Sequence, residues 1–263
     1  MAYAAPSWTQ IIAHRGDSAS APENTVAAIE SAIALQVDMV EVDIRLTGDG
    51  VAVLMHEETV DFTTSGTGLV TDFSWDEIRN LDAGSWRGPE FSGETVRSLD
   101  EILRLTSDRV ALNLDIRTPD AAEPTAQAIS SAGLESRTVI SGCTAADVEA
   151  VRDAATGVSA LLNVDDLLEG IDPDVALSVV HESVEIAVEV GGIAINVPHA
   201  LVTTELVEHA HDAGIGLWTF TVDETDRFVA LMELGADSIT TNWPERMVPL
   251  VTDRIKSFEV NRR

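Results

Sequence analysis

Gly216–Thr241, GLWTFTVDETDRFVALMELGADSITT, holds one full unit of the pattern on which the chain is built. A short apolar run, Gly216 to Val222, reads as a strand. ETDRFVALMELG then repeats its apolar residues at helical spacing and stops at a Gly. A second strand candidate, Asp237 to Thr241, follows at once. Strand, helix and strand in direct succession build parallel sheet. The same alternation runs outward to both ends. Further strand candidates are Gln10 to His14, Met39 to Ile44, Val110 to Ile116, Thr138 to Gly142, Ser159 to Asn163 and Ile193 to Val197. Between them lie the helical patterns NTVAAIESAIAL, SLDEILRL, TAADVEAVRDA and TTELVEHAHDAG, several opened by Thr or Ser. Eight strand–helix units fit a closed (β/α)8 TIM barrel, an α/β fold. The length of 263 residues is near the roughly 250 typical of that fold, so one domain over residues 1–263 is expected.

Two stretches break the alternation. TGDG at Thr47 to Gly50 carries the turn chemistry of an antiparallel hairpin, which sends VAVLMH back toward the barrel mouth. Residues 57–97, rich in Thr, Gly, Asp and Trp, are too long for an ordinary connection and read as a small insertion on the catalytic face.

Composition narrows the partners. Acidic residues number 45 against 16 basic, a net charge of −29, and Lys256 is the single lysine. Such a surface excludes nucleic acid and anionic membranes as natural partners. Its acidic residues are spread along the chain instead of gathered in a tail, which argues against a disordered acidic arm, and the charged, lysine-poor surface suits a salt-rich cytoplasm or, as the alternative, an ordinary acidic mesophile protein. The leading MAYAAPSWTQ lacks a basic start with an apolar run, and no long apolar stretch follows, so a soluble cytoplasmic protein without stable membrane insertion is expected. The one cysteine, Cys143, reads as a structural free thiol. Oligomeric state is not legible.

In a barrel, catalytic groups sit at the C-terminal ends of the strands, so polar residues inside apolar strands are informative. Glu41 and Asp43 in VEVDIR are two apart and share one face, with Val40, Val42 and Ile44 on the other. Asp115 in ALNLDIR ends another strand, with Arg117 two residues on. Inward carboxylates repel and are desolvated unless a cation neutralises them. Three hard oxygen donors suit one divalent cation, Mg²⁺ or Ca²⁺, with Mn²⁺ also compatible. Internal ion pairs with Arg15, Arg45 or Arg117 would satisfy the same acids, and both readings stand at this point. His14 ends the first strand and His56 the returning hairpin, where one could remove a proton and the other supply one. Arg15 has the planar fork that grips phosphate. Trp218 and Trp243 lie near strand ends, where either substrate contact or core packing is open to them. His209 and His211 read as solvated, His181 as helical and His199 as a loop residue.

HRG at His14, PENT at Pro22 to Thr25, EVD at Glu41 to Asp43, LTGDGVAVLMHE, TTSGTG and SLDEIL occur in order. PHALVTTELVEHAHDAGIGLWTFTVD and GADSITTNWP follow. Together they resemble the glycerophosphodiester phosphodiesterase family over nearly the whole chain. The resemblance implies hydrolysis of small glycerophosphodiesters to glycerol 3-phosphate and an alcohol. It implies His14 and His56 as acid and base, Glu41, Asp43 and Asp115 as metal ligands, and Arg15 on the phosphate. From their places near strand ends, Arg117 and Trp218 are expected as further substrate contacts. It also carries a route in which the neighbouring glycerol hydroxyl attacks first, giving a cyclic phosphate that water opens.

Four positions depart from the family pattern: Glu57 for an Asp, Phe62 for an Arg, Asp115 for a Glu and Arg117 for a Lys. Competing readings are a phospholipase D-like lyase acting on lysophospholipids, which resembles the same barrel, and a binder of glycerophosphodiesters that has lost catalysis. The absence of a signal sequence and of disulfides speaks against the first.

Overall fold

The computed structural model describes residues 8–261, with side chains described through residue 256. Residues 1–7, most of the leading MAYAAPSWTQ, and 262–263 lie outside the described residues. Strands β1 (Gln10–Ala13), β2 (Met39–Leu46), β4 (Ala111–Ile116), β5 (Thr138–Cys143), β6 (Ser159–Asn163), β7 (Ala194–Pro198), β8 (Gly216–Phe220) and β9 (Ser238–Thr241) pair in parallel. The ring runs β1-β9-β8-β7-β6-β5-β4-β2 and closes through β1–β2. The ninth strand, β3 (Ala52–Leu54), pairs antiparallel with the end of β2 through the TGDG turn. That turn is held by the Thr47 hydroxyl on Asp49 at 2.6 Å and the Thr47 N–H on the Val51 carbonyl at 3.0 Å.

The helices that cover the ring are α1 (Val26–Ala34), α3 (Leu99–Thr106), α4 (Ala122–Ala132), α5 (Ala145–Ala154), α7 (Pro173–Val190), α8 (Thr204–Asp212), α9 (Thr225–Leu234) and α10 (Pro244–Asn261), with the short α2 (Trp75–Ile78) and α6 (Asp165–Leu168) in loops. Hydroxyls of Thr25, Ser98, Thr144 and Thr203 cap α1, α3, α5 and α8, each accepting an early backbone N–H. Such a cap contributes about 1 kcal/mol. The outward faces of the strands and the inward faces of the helices form the main core, where Val40, Val42 and Ile44 meet Leu99, Ile102 and Leu103. Each fully buried aliphatic side chain there contributes about 1.5–3 kcal/mol of transfer free energy.

A separate core fills the barrel interior with Ile12, Met39, Val139, Leu161, Ala194 and Trp218. The expected substrate contact at Trp218 is therefore corrected. The strand ends at Phe220, and Trp218, one side-chain layer deeper on the same face, is 4% exposed and packs the barrel centre. Phe220 is the aromatic residue of β8 that reaches the mouth.

After β3 the chain makes bridges Thr59 to Leu69 and Asp82 to Thr95, and closes a third, smaller core of Val53, Met55, Val60, Val70, Ile78, Ala83 and Val96. The Asp82 carboxylate accepts the N–H groups of Ser85 and Gly84 and the Ser85 hydroxyl, which lowers its pKa to about 2.

Candidate active site

A cavity of about 460 Å³ opens at the C-terminal ends of the strands, with His14, Arg15, Glu41, Asp43, His56, Asp115 and Arg117 in its wall. Registers account for that convergence. Asp43 on β2 lies opposite Asp115 on β4, and Glu41 opposite Asn113. Ala13 pairs with both Val40 and Thr241, which carries His14 out between Glu41 and Asn242.

One oxygen from each of Glu41, Asp43 and Asp115 lies within 4.8 Å of the other two. Burial pushes the Glu41 carboxyl well up, and the charges of Asp43 and Asp115 push it further. Asp115 is raised by burial and by Asp43, against the pull of Arg117. The arginines thus leave the cluster short of positive charge, and the donor set is all carboxylate oxygen. These residues fit a hard divalent cation. Both Asp115 oxygens have partners, Arg117 Nη1 at 2.7 Å and the Ser141 hydroxyl at 2.9 Å, and the shorter side chain still reaches the cluster.

Arg15 donates its backbone N–H to Glu41 Oε2 at 2.7 Å and Nη1 to Glu23 at 2.8 Å. Its Nε lies 3.2 Å from Asp43 Oδ2, near enough to attract but not aligned as a hydrogen bond. Arg117 Nε is 3.9 Å from Asp43 Oδ1. Arg15 and Asn24 both hold positive φ, 55° and 58°. Such strain costs of order 1–3 kcal/mol per residue and persists where neighbours enforce it. Asn24 does so by clasping Asp43, donating Nδ2 to Oδ2 at 2.8 Å and accepting the Asp43 N–H at 3.1 Å. Nothing in PENT announces this clasp beyond the tolerance of Asn for positive φ.

His14 Nδ1 lies 2.7 Å from Asn242 Oδ1. Asn242 is oriented by Asp223, whose carboxylate accepts the Asn242 N–H at 2.9 Å and Nδ2 at 2.8 Å, so the amide oxygen faces the ring. His14 therefore carries its proton on Nδ1 and keeps the Nε2 lone pair, 3.9 Å from Glu41. Burial, then the Arg15 charge, hold its pKa below the ordinary imidazole value. His56 follows β3; its Nδ1 lies 2.8 Å from Glu57 Oε1, and Arg45 Nε donates to its carbonyl at 2.9 Å. Glu57 thus serves the imidazole of His56. Phe62 is 72% exposed.

The remaining candidates lie elsewhere. Cys143 is buried, which pushes its thiol well up and leaves it unreactive. His199 accepts from Arg227 Nε at 3.4 Å. His209 and His211 keep the solvent access expected of them, with side chains 34% and 36% exposed, and each also has a partner: His211 pairs with Asp237 at 2.8 Å, and His209 stacks on His181. Among the described residues no helix is long and apolar enough to cross a membrane.

Two histidines, a carboxylate cluster and two arginines at the mouth of one (β/α)8 barrel form the kind of polar site that barrel enzymes carry at the C-terminal ends of their strands. The glycerophosphoryl diester phosphodiesterase family pattern matches residues 14–246. A glycerophosphodiester phosphodiesterase of Caldanaerobacter subterraneus subsp. tengcongensis is 33% identical over 254 residues, covering 92% of this chain and 98% of that one. Another, from Bacillus altitudinis, is 28% identical over 249 residues with the same coverage. An Oleispira antarctica phosphodiesterase, solved in complex with the product sn-glycerol-3-phosphate, has the same fold with a TM-score of 0.78 at 24% identity, over 94% of this chain and 97% of that one. The chain belongs to the glycerophosphoryl diester phosphodiesterase family.

Proposed function

We propose that the chain hydrolyses glycerophosphodiesters to glycerol 3-phosphate and an alcohol, using one divalent cation, Mg²⁺ or Ca²⁺, held by Glu41, Asp43 and Asp115. The observation that carries the reading is the meeting of three carboxylate oxygens within 4.8 Å inside the cavity that His14 also lines. When bound, the ion neutralises the carboxylates and polarises the phosphoryl group. Arg15 and Arg117 grip the phosphate oxygens with planar forks. His14, neutral through burial and proton-bearing at Nδ1, takes at Nε2 the proton of the neighbouring glycerol hydroxyl as it displaces the alcohol, and water then opens the cyclic phosphate to glycerol 3-phosphate. His56, with the Glu57 carboxylate against its Nδ1, gives a proton to the leaving alcohol oxygen. Phe220 takes the packing task against the glycerol carbons.

The test is release of glycerol 3-phosphate from glycerophosphocholine by metal-stripped protein before and after Mg²⁺ or Ca²⁺ is returned. Turnover is expected only with the ion. Full turnover in the stripped sample would refute the ligand assignment, and no turnover under any ion would refute the activity.

A further inference from the structure

The cavity at the mouth is electrically lopsided. Its basic side chains, His14, Arg15, His56 and Arg117, all stand after β1, β3 and β4. The opposite wall, built by β5, β6, β7 and the short α6, holds Asp165 and Asp166. Neither carboxylate pairs with an arginine, lysine or histidine among the described residues.

One backbone group sets the amides of this wall. The Gly142 N–H donates to Asn163 Oδ1 at 2.9 Å, which turns Asn163 Nδ2 toward Asp165 Oδ2 at 3.5 Å. Asn163 Oδ1 also accepts Asn196 Nδ2 at 3.4 Å, so the Asn196 amide oxygen is the end left over. Asn196 is only 7% exposed, lines the cavity, and its amide oxygen accepts no hydrogen bond from the described residues. An acceptor this deep is costly to leave without a donor.

The wall thus presents acceptors and negative charge, and no charged donor. A metal ion does not suit it. Among the described residues, Glu41, Asp43 and Asp115 are the one group of three ligand-type side chains with their donor atoms close together. An ammonium group does suit it, because it brings three N–H donors and needs no closed coordination shell. Loss of solvent raises the Asp165 carboxyl above its ordinary value, and the charges of Asp115 and Asp166 raise it further against the pull of Asn163. A cation beside it relieves that repulsion. The span fits as well: β6 lies two strands from β4 in the ring, about 10 Å at roughly 4.8 Å per strand. A phosphate against Arg117 and an ammonium against Asp165, joined by two carbons, bridge that distance.

We propose that this wall selects glycerophosphodiesters whose alcohol carries a primary ammonium, as ethanolamine does. Asp165 and Asp166 take its charge, and Asn196 Oδ1 accepts one of its N–H groups. This selection presupposes the hydrolysis proposed above and adds the class of leaving alcohol to it. The ammonium lies away from the bonds that form and break and keeps its charge throughout, so its binding acts on KM and not on kcat.

kcat and KM of the ion-loaded protein are measured on glycerophosphoethanolamine and on glycerophosphoglycerol, whose alcohol is neutral. KM is expected to be about 10-fold lower for the ethanolamine diester, the size of one hydrogen bond to a charged group. Asp165→Asn/Asp166→Asn should raise that KM to the level of the glycerol diester and leave turnover of the glycerol diester as it was. Equal KM values in the wild type would overturn the selection, and so would a preference that survives in the double variant. Turnover of neither diester would sink the hydrolase reading itself, and the selectivity with it.

Discussion

Glu41 shows what the cavity costs the folded chain. Its carboxyl is pushed up by burial, then by Asp43 and Asp115. A carboxyl raised on folding destabilises wherever it is forced to ionise. The penalty grows as pH rises from the ordinary Glu value of about 4.3 and levels off above the folded pKa, so falling pH restores stability. Glu41→Gln removes the charge and keeps the shape. Without metal, this variant is expected to melt above the wild type at pH 8, with the gap closing toward pH 5, and to lose stabilisation by divalent ions. A variant that melts at or below wild type throughout would show that the cluster carries no such strain. Asp115 separates ion binding from ion pairing in a different way. It touches Arg117 and Ser141 as well as the cluster. Asp115→Ala should weaken metal affinity and turnover together, while Asp115→Glu stays active with an altered preference among ions. Unchanged metal dependence in the Ala variant would assign the third ligand elsewhere. The acids were legible because a charge inside an apolar strand is too costly to stand there without a partner or an ion. Asn242 was not, since its contact with His14 spans 228 positions and no local spacing announces it.

At the scale of elements, the bulge in β5 sets the site. The register against β6 shifts between Ile140 and Cys143, and Gly142 there adopts φ 72°. A Cβ at Gly142 would lie 2.3 Å from the Ile116 carbonyl and 2.9 Å from Asp115 Oδ1. Gly142→Ala combines left-handed strain of about 1–3 kcal/mol with displacement of the β4 end. It is expected to lower the melting temperature and to weaken metal binding through Asp115. Normal affinity in a destabilised variant would separate the bulge from the site. The strands themselves were legible because burial on both faces writes short continuous apolar runs, as in Ser159–Asn163, where expected and observed bounds agree. The TGDG hairpin was legible from turn chemistry. Residues 57–97 show no period, and their order comes from bridges and capping carboxylates such as Asp82. The depth of Trp218 followed from where β8 ends, and sequence bounds are least reliable at element ends.

For the molecule as a whole, a net charge of −29 surrounds this framework. Repulsion among surface carboxylates opposes compactness and is screened over about 10 Å at 0.1 M salt and about 3 Å at 1 M. The melting temperature is therefore expected to rise between low and molar KCl, with chelator present to exclude ion binding. A flat or falling curve would mean that the acidic surface is not a net burden in dilute salt.

The two histidines of the mouth stand on supports of unequal strength. His14 continues β1, a strand bonded on both sides within the closed ring. His56 continues the three-residue β3, which β2 holds on one side and, among the described residues, the Leu54–Arg97 hydrogen bond and the Val53–Ser98 bridge hold on the other. Leu54 packs into the main core, while Val53 and Met55 pack into the separate small cluster. A short strand paired within the sheet on one side opens at lower free energy than one bonded on both sides. In urea, His56 should therefore detach first, and turnover should vanish at a lower concentration than the far-ultraviolet circular dichroism. Coincident transitions would make the hairpin and the barrel one cooperative unit.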